Sequence, residues 1–531
     1  MSGSISIIDP LGLHPAAEAL GFDKSQHANC SSILFDNLER NPKALAVTGP
    51  LGDLTYTELC EMASAWGRAF LAQGLERGER IAFLLDDTPS FPAAFFGAVR
   101  AGLVPVLLNT QTMRDLLEFF IEDSGARIAV AEAGLAHMFA DLDLQCLVAV
   151  NGPTPAGATT PEAFLAGNEG DLPCADTGPD DMAFWMYSSG STGRPKGIVH
   201  LHHDMAYTAA SYADHVLKVR PEDRLFSVPK LFFAYGFGNG ITFPFMAGAT
   251  AVLMPGQPTA DAVLGTIESF KPTMLFGLPT LYTALCRSEG AAERDLSSLR
   301  LCLSAAEILS EDVFNSWKAL TDLEPVEGLG STEMLHIYLS NTEADKRLGS
   351  AGRVVPGYEV KLCDPEGQVV AAGQEGAMWV RGHSSAPTYW NRPEKTADTM
   401  RGDWLYTGDL FIEEDGAFYF QGRADDLIKV SGQWVWPLEV ERCLGEHPLV
   451  HECAVLAHPL ADKRMTLRAV VKLRGGEQPD DTTTRALQDF VKSQLIPYKY
   501  PRIVEFVDEL PHTGTGKIDR QALINRASEA A

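Results

Sequence analysis

The sequence predicts an α/β protein: a large N-terminal domain of parallel βα sheets with a β subdomain, followed by a small C-terminal α/β domain. Three observations predict it. Strand-like runs alternate with helical ones through the first half of the chain, and near residue 350 the texture changes to short strands broken by Gly and Asp turns. The last hundred residues then return to an α/β rhythm. A length of 531 residues also exceeds what one core usually holds, so two to four folding units are expected.

The runs RIAFLL (80–85), LVPVLLN (103–109) and RIAVAEA (127–133) are short, apolar and rich in β-branched residues, as strands are. Between them TYTELCEMASAWGRAFLAQG (55–74) and PSFPAAFFGAVRAG (89–102) read as helices, which makes βα units and a mainly parallel sheet. NGPTPAGATTPE (151–162) reads as a surface connection. No charged residue occurs between Lys230 and Asp261, a length that could pass for a membrane span. Gly236, Gly238, Gly240, Pro244 and Gly248 interrupt that run, so a buried helix followed by the strand ATAVLM is expected instead. YEVKLCDPEG, AMWVRG and DGAFYFQG supply the short strands of the β subdomain. Beyond them LEVERCLGEHP is helical, ECAVLAHPL and RAVVKLR are strand-like, and TTTRALQDFVKSQL is an amphipathic helix.

With 43 Lys and Arg against 70 Asp and Glu the formal net charge is −27, which argues against nucleic acid or an anionic membrane as partner. Any phosphate ligand must then be held locally. Nine cysteines without a C-x-x-C pair fit reduced thiols, so neither a disulfide framework nor a structural metal is expected. MSGSISIIDP lacks the features of a secretory leader, and a cytoplasmic location is expected.

The first chemical signal is FWMYSSGSTGRPKG (184–197), where a strand-like run enters a loop of small hydroxylated residues before the helical HLHHDMAYTAASYADHVL. Gly190, Gly193 and Gly197 permit close backbone approach, Ser188, Ser189, Ser191 and Thr192 offer hydroxyl groups, and Lys196 supplies charge. Such a loop can wrap a polyphosphate, although it is not the G-x-x-x-x-G-K-[ST] pattern, and a plain Gly/Ser turn is the competing reading. His200, His202 and His203 follow it; lacking a carboxylate set at metal spacing, they read as structural and not as a zinc site.

This loop, followed in order by EGLGSTEM (327–334), WLYTGDL (404–410), GRADDLIKVSGQWVWPLEVE (422–441) and LPHTGTGKIDR (510–520), resembles the signatures of the acyl-adenylate-forming enzymes. That superfamily includes acyl- and aryl-CoA ligases, firefly-type luciferases and peptide-synthetase adenylation domains. The likeness runs from about residue 30 to 520, and PKLFFAYGFGN (229–239) with GSTEMLHIYLSN looks most like the benzoate-CoA ligase group.

The resemblance implies ATP, magnesium and coenzyme A as cofactor and co-substrates, a small aromatic carboxylic acid as substrate, and a monomer or homodimer. It implies a large domain over 1–422, a hinge at 423–426 centred on Asp425, and a small mobile lid over 427–531. Thr332 would hydrogen-bond the α-phosphate and Glu333 hold magnesium, an ion that takes one or two carboxylates plus phosphate oxygens. Taken alone, Glu333 reads better as an exposed helix-start carboxylate following a Thr; its order among the other motifs reverses that. Many members carry an aromatic residue where this chain has Leu329, so adenine would meet aliphatic contact from Leu329 and the backbone around Ala306 and Glu307. Asp409 would accept from both ribose hydroxyls, with Arg423 as a second polar contact. Lys429 and Gly432 would line the channel for the pantetheine arm, and Lys517 would reach the α-phosphate and the attacking carboxylate.

For the acyl pocket the resemblance points to Phe233, Ala234, Tyr235, Ala305, Gly328, Gly330, His336 and Ile337, a mixture of two aromatic and several small residues that suits a flat ring. A cyclic or aliphatic acid could fill the same volume. His336 could meet a ring substituent or satisfy a backbone group. Loading of a separate carrier protein is the alternative to CoA ligation.

Overall fold

The computed structural model describes residues 15–190, 193–305, 309–424, 428–430, 433–460, 465–475, 479–512 and 518–529. The chain divides into two compact units, one of residues 1–360 with 380–406 and the other of 361–379 with 407–531.

The first unit is built on two sheets. One has six strands in the order Cys146–Val150, Ile128–Glu132, Arg80–Leu84, Val104–Leu107, Met182–Gly190, Gly193–Leu201. The first five are parallel, so the strand-like runs read from the sequence form one buried βα sheet; the sixth turns back antiparallel. The helix Tyr56–Ala72 starts at a capping box in which Thr55 Oγ1 accepts the Glu58 N–H at 3.3 Å while the Glu58 carboxylate accepts the Thr55 N–H at 2.8 Å. It lies against the helix Ser90–Arg100 at a glycine contact: a methyl built on Gly97 would overlap the Ala63 carbonyl oxygen, and one on Gly67 the Gly97 carbonyl oxygen.

The second sheet has nine strands in the order Arg353–Val354, Ile337–Ser340, Val326–Gly330, Leu301–Ala305, Met274–Gly277, Arg224–Ser227, Thr250–Val252, Leu45–Thr48, Leu54–Thr55. Its six central strands are parallel and the ends antiparallel. The uncharged run folds as expected, into a helical stretch from Ala234 to Ala247, with a π-helical turn at Gly238–Thr242, and then the strand Thr250–Val252. Among the described residues no helix is long and apolar enough to cross a membrane.

In the second unit Val450–Pro459 pairs antiparallel with Met465–Leu473, which Ile503–Phe506 joins in parallel. The helices Pro437–Gly445 and Asp481–Gln494 give Val440, Leu444, Leu487 and Val491 to its core. The division does not follow the expected break at 423–426. The hairpin strand Ala417–Arg423 belongs with the C-terminal residues, because Arg442 on the helix donates to the Phe420 carbonyl at 2.7 Å. Asp425 lies outside the described residues.

Close packing at the glycine contact gives the first expected outcome. Gly97→Ala must push two helix backbones apart and should lower unfolding free energy by about 1–3 kcal/mol, read by urea denaturation.

Candidate active site

The glycine- and serine-rich segment is not a loop leading into a helix, as its composition suggested. Met182–Gly190 and Gly193–Leu201 form an antiparallel hairpin in which Ser188 stands opposite Lys196 and Gly190 opposite Gly193. The second strand persists to Leu201 because its outer edge is also paired: Val199 N–H donates to Thr388 O at 3.3 Å and Trp390 N–H to Gly197 O at 2.8 Å. Helix starts only at Asp204. The Ser188 hydroxyl is buried and makes no hydrogen bond among the described residues. Ser189, Gly190 and Gly193 are described in backbone only, and Ser191 and Thr192 lie outside the described residues.

The strand Val326–Gly330 leads into a 3₁₀ turn at Thr332–Met334. Each carbonyl of that turn is captured from elsewhere in the unit. His200 Nε2 donates to Thr332 O at 2.9 Å, Ala386 N–H to Glu333 O at 2.7 Å, and Ser384 Oγ to Met334 O at 2.9 Å. His200 is itself held through Nδ1 by Asp204 Oδ2 at 2.9 Å. The turn ends at Leu335, fully buried with φ +62°, a conformation costly for a branched side chain that persists only where surroundings impose it.

The result is a carboxylate with defined neighbours. Glu333 Oε1 accepts the Tyr389 hydroxyl at 2.8 Å and stands 3.5 Å from Lys196 Nζ, which itself lies 4.1 Å from the centre of the Tyr389 ring. Glu333 Oε2 takes no hydrogen bond among the described residues, and Glu333 and Lys196 are each 16 % exposed. This donor set fits a hard, oxygen-seeking ion: one oxygen of a partly exposed carboxylate is left without a hydrogen bond among the described residues, on the residue that follows the half-buried Thr332. Among the described residues no group of three or more His, Cys, Asp and Glu could cage a metal, so an ion here would rely on Glu333 and on its own ligand's oxygens. The histidines act as tethers: His202 accepts the Cys30 N–H at 3.2 Å, and His203 donates to Pro179 O or His383 O, each 2.8 Å away.

Sheet pairing assembles part of the expected acyl pocket. Ala305 is the partner of Gly328, and Gly330 that of Ile337 across a bulge. Leu329 between them is half-buried. Phe233 caps the helix Ala234–Phe237, and the Tyr235 ring lies 5.6 Å from that of His336. His336 is buried among Tyr212, Tyr235 and Phe243, beside the Tyr235 main chain. Burial pushes its pKa down to about 3, so the ring is neutral.

Two anchors escaped sequence reasoning because they are not in the glycine-rich motifs. Lys230 donates to Asp86 at 2.7 Å and Met254 O at 2.8 Å, while Asp87 accepts the Leu231 N–H at 3.0 Å, fixing the start of LFFAYG. Burial raises the Asp87 carboxyl to about 7. Glu327, one residue before Gly328, is buried and accepts the N–H groups of Leu309 at 3.0 Å and Gly349 at 3.4 Å. Its carboxyl is likewise raised to about 7 by burial.

In the second unit Asp409 and Arg423 are cross-strand partners, and Arg423 Nη1 lies 3.0 Å from Asp409 Oδ1. Arg423 therefore faces Asp409, where a second polar contact to the sugar or its phosphate was expected of it. An antiparallel bridge between His512 and Ile518 closes the base of the segment holding Lys517. Lys517, Ala306, Glu307 and Gly432 lie outside the described residues, and Lys429 is described in backbone only.

Comparison with known proteins decides the family. The model for AMP-binding enzymes matches residues 34–390, and that for the AMP-binding enzyme C-terminal domain matches 439–517. The chain belongs to the AMP-binding enzyme family. Among its relatives in that family, a benzoate–CoA ligase of Thauera aromatica is 42 % identical over 88 % of this chain and 90 % of that protein. A 4-hydroxybenzoate–CoA/benzoate–CoA ligase of Rhodopseudomonas palustris is 40 % identical over 90 % of each. The crystal structure of an anthranilate CoA ligase in complex with anthranoyl-AMP superposes with a TM-score of 0.89 at 36 % identity, covering 96 % of this chain and 99 % of that one.

Glu327 makes stability pH-dependent. A folded-state pKa near 7 against 4.5 unfolded means that the folded protein holds the extra proton between those values, so this residue's contribution to stability falls as pH rises from about 4.5 to 7 and is flat above. Glu327→Gln cannot ionise, and its melting temperature relative to the unmutated protein should shift upward between pH 5 and pH 8.

Proposed function

We propose that the chain is an ATP-dependent, AMP-forming aryl-CoA ligase acting on benzoate or a substituted benzoate. The observation that carries this is the meeting of Lys196, from the glycine–serine hairpin, with the Glu333 carboxylate at 3.5 Å beside Thr332. The near full-length likeness to benzoate– and hydroxybenzoate–CoA ligases supports the substrate class.

A carboxylate is a poor electrophile. Its oxygen must first attack the α-phosphorus of ATP, releasing pyrophosphate and leaving a mixed anhydride that a thiolate can open. Charge builds on the α-phosphate during the first step, and groups already aimed there lower the barrier without reorganising. In this reading the hairpin backbone and Ser188 cradle the β- and γ-phosphates, with Lys196 as their counter-charge. Thr332 donates to the α-phosphate, and Glu333 Oε2 holds magnesium, which supplies charge neutralisation across the phosphates when bound.

Asp409 takes the ribose hydroxyls, turning toward them the oxygen that does not face Arg423. The acid lies against Ile337, Ala305, Phe233, Ala234 and Tyr235, with Gly328 and Gly330 letting the strand pack directly on Ile337 and the His336 main chain, and with His336 supporting the Tyr235 ring from behind. Ala306 and Glu307 flank the adenine with Leu329. Lys517 bridges carboxylate and α-phosphate in the first half-reaction. Rotation about Asp425 in the hinge 423–426 then brings Lys429 and Gly432 to the pantetheine arm, and one site serves two reactions in turn. A cytoplasmic location follows from the reduced-thiol composition and from the cellular CoA the reaction consumes.

Incubation with ATP, magnesium, CoA and benzoate, hydroxybenzoates or aminobenzoates tests the reading by mass spectrometry. An aryl-CoA and AMP should appear, and Lys517→Ala should lose adenylate formation about a thousandfold while still converting a pre-formed aryl-adenylate to the thioester. Acid-dependent pyrophosphate exchange without any aryl-CoA would favour the carrier-protein alternative.

A further inference from the structure

Tyr389 belongs to none of the motifs that pointed to the site, yet it touches both of the charged residues the site is built on. Its hydroxyl donates to Glu333 Oε1 at 2.8 Å, and its ring centre lies 4.1 Å from Lys196 Nζ. The residue is 2 % exposed, and its backbone is fixed from three directions. It forms an antiparallel bridge with Ile198, its N–H donates to Thr396 Oγ1 at 3.0 Å, and the flanking Thr388 and Trp390 pair with Val199 and Gly197. Three residues earlier, Ala386 N–H holds the Glu333 carbonyl at 2.7 Å. The segment from Ala386 to Trp390 therefore grips Glu333 at both its main chain and its carboxylate, and grips the strand that carries Lys196.

A glutamate on a short turn has three rotatable bonds and can offer either oxygen, or neither, to a ligand in front of it. A lysine beside it is a worse hazard. Direct closure of the ammonium on the carboxylate would use the charge of both, and a metal–nucleotide complex would have to separate them again before either could act. The geometry avoids this. The phenol occupies Oε1, Lys196 stays 3.5 Å from that oxygen while resting over the ring face, and Oε2 is left without a hydrogen bond among the described residues.

We propose that Tyr389 is a positioning residue that selects Oε2 of Glu333 as the metal-facing oxygen and holds Lys196 back from a closed ion pair with it. This rests on the reading that Glu333 holds the magnesium of the nucleotide. Tyr389 touches no reacting atom; it acts through Glu333 and Lys196. In Tyr389→Phe the ring under Lys196 remains and the hydrogen bond that orients the carboxylate is lost, so the expected loss is in metal affinity and not in general nucleotide affinity.

The test uses the full chain without acid or CoA, so that no turnover occurs, and Mn²⁺ as the probe. Binding of Mn²⁺ in the presence of ATP is followed by electron paramagnetic resonance, and binding of ATP in EDTA by calorimetry, for the unmutated protein, Tyr389→Phe and Glu333→Gln. Tyr389→Phe should weaken Mn²⁺ binding about tenfold, the effect of losing one hydrogen bond to a charged group, with metal-free ATP affinity and melting temperature close to those of the unmutated protein. Unchanged Mn²⁺ binding in Tyr389→Phe, with Glu333→Gln impaired, overturns the role given to Tyr389 and leaves the metal reading intact. Unchanged binding in both variants overturns the metal reading and this inference with it. An equal loss of Mn²⁺ and metal-free ATP binding in Tyr389→Phe also overturns it, because a merely structural residue would produce that pattern.

Discussion

Everything about the site depends on how one turn, Thr332 to Met334, is held. Its three carbonyl groups are taken by His200, Ala386 and Ser384, which come from the end of the glycine–serine hairpin's second strand and from a segment that pairs along the same strand's edge. The turn has backbone bonds of its own, Met334 N–H to Ser331 O at 3.2 Å and Leu335 N–H to Thr332 O at 3.0 Å, and the ties to two separate segments add a constraint on where it sits. The buried left-handed Leu335 is evidence of that constraint, since nothing intrinsic to leucine favours the conformation. The strain is sustained by the hydrogen bonds around it, and what it secures is the direction of a single carboxylate.

The same ties join two regions far apart in sequence. Lys196 and Glu333 are more than a hundred residues apart and sit in different sheets, one at the edge of the six-stranded sheet and the other at the end of a central strand of the nine-stranded one. Between them stands Tyr389, contributed by a third segment. Preorganisation of charge at such a junction is what phosphoryl chemistry asks of a protein: most of the work lies in fixing positions before the nucleotide arrives. The overall charge of −27 is consistent with this economy, because positive charge is required only where a phosphate is held, and the rest of the surface can repel polyanions without impeding catalysis.

Much of the fold was legible in the sequence for physical reasons. Strands such as Ile128–Glu132, buried on both faces, must be continuously apolar, and a helix such as Tyr56–Ala72 announces its start with Thr55 and Glu58, so these elements are written locally. The hairpin at 182–201 was misread because small hydroxylated residues and glycines favour turns in isolation; strand formation there comes from pairing with residues 388–390, which local composition does not record. In the site, Thr332 and Glu333 stood out through motif order, and sheet register sets Ala305 opposite Gly328 and Gly330 opposite Ile337. Tyr389, Glu327 and the Asp87–Lys230 anchor were invisible for a common reason. Each acts through a contact with a distant segment, and a lone Tyr, Glu or Asp has no spacing that betrays its partner. His336 was singled out, but its surroundings of three aromatic rings are a property of the packed core.

If the tied turn is what makes the site, removing one tie while leaving every charged ligand-facing residue in place should impair the chemistry. The direct measurement is acid-dependent exchange of pyrophosphate into ATP by His200→Ala, which removes the imidazole donor to the Thr332 carbonyl and leaves Lys196, Thr332 and Glu333 unaltered. The account predicts a fall of about tenfold or more in exchange rate in protein that still melts in one cooperative transition. Exchange at the unmutated rate would show that the turn holds its direction without His200 and would contradict the account.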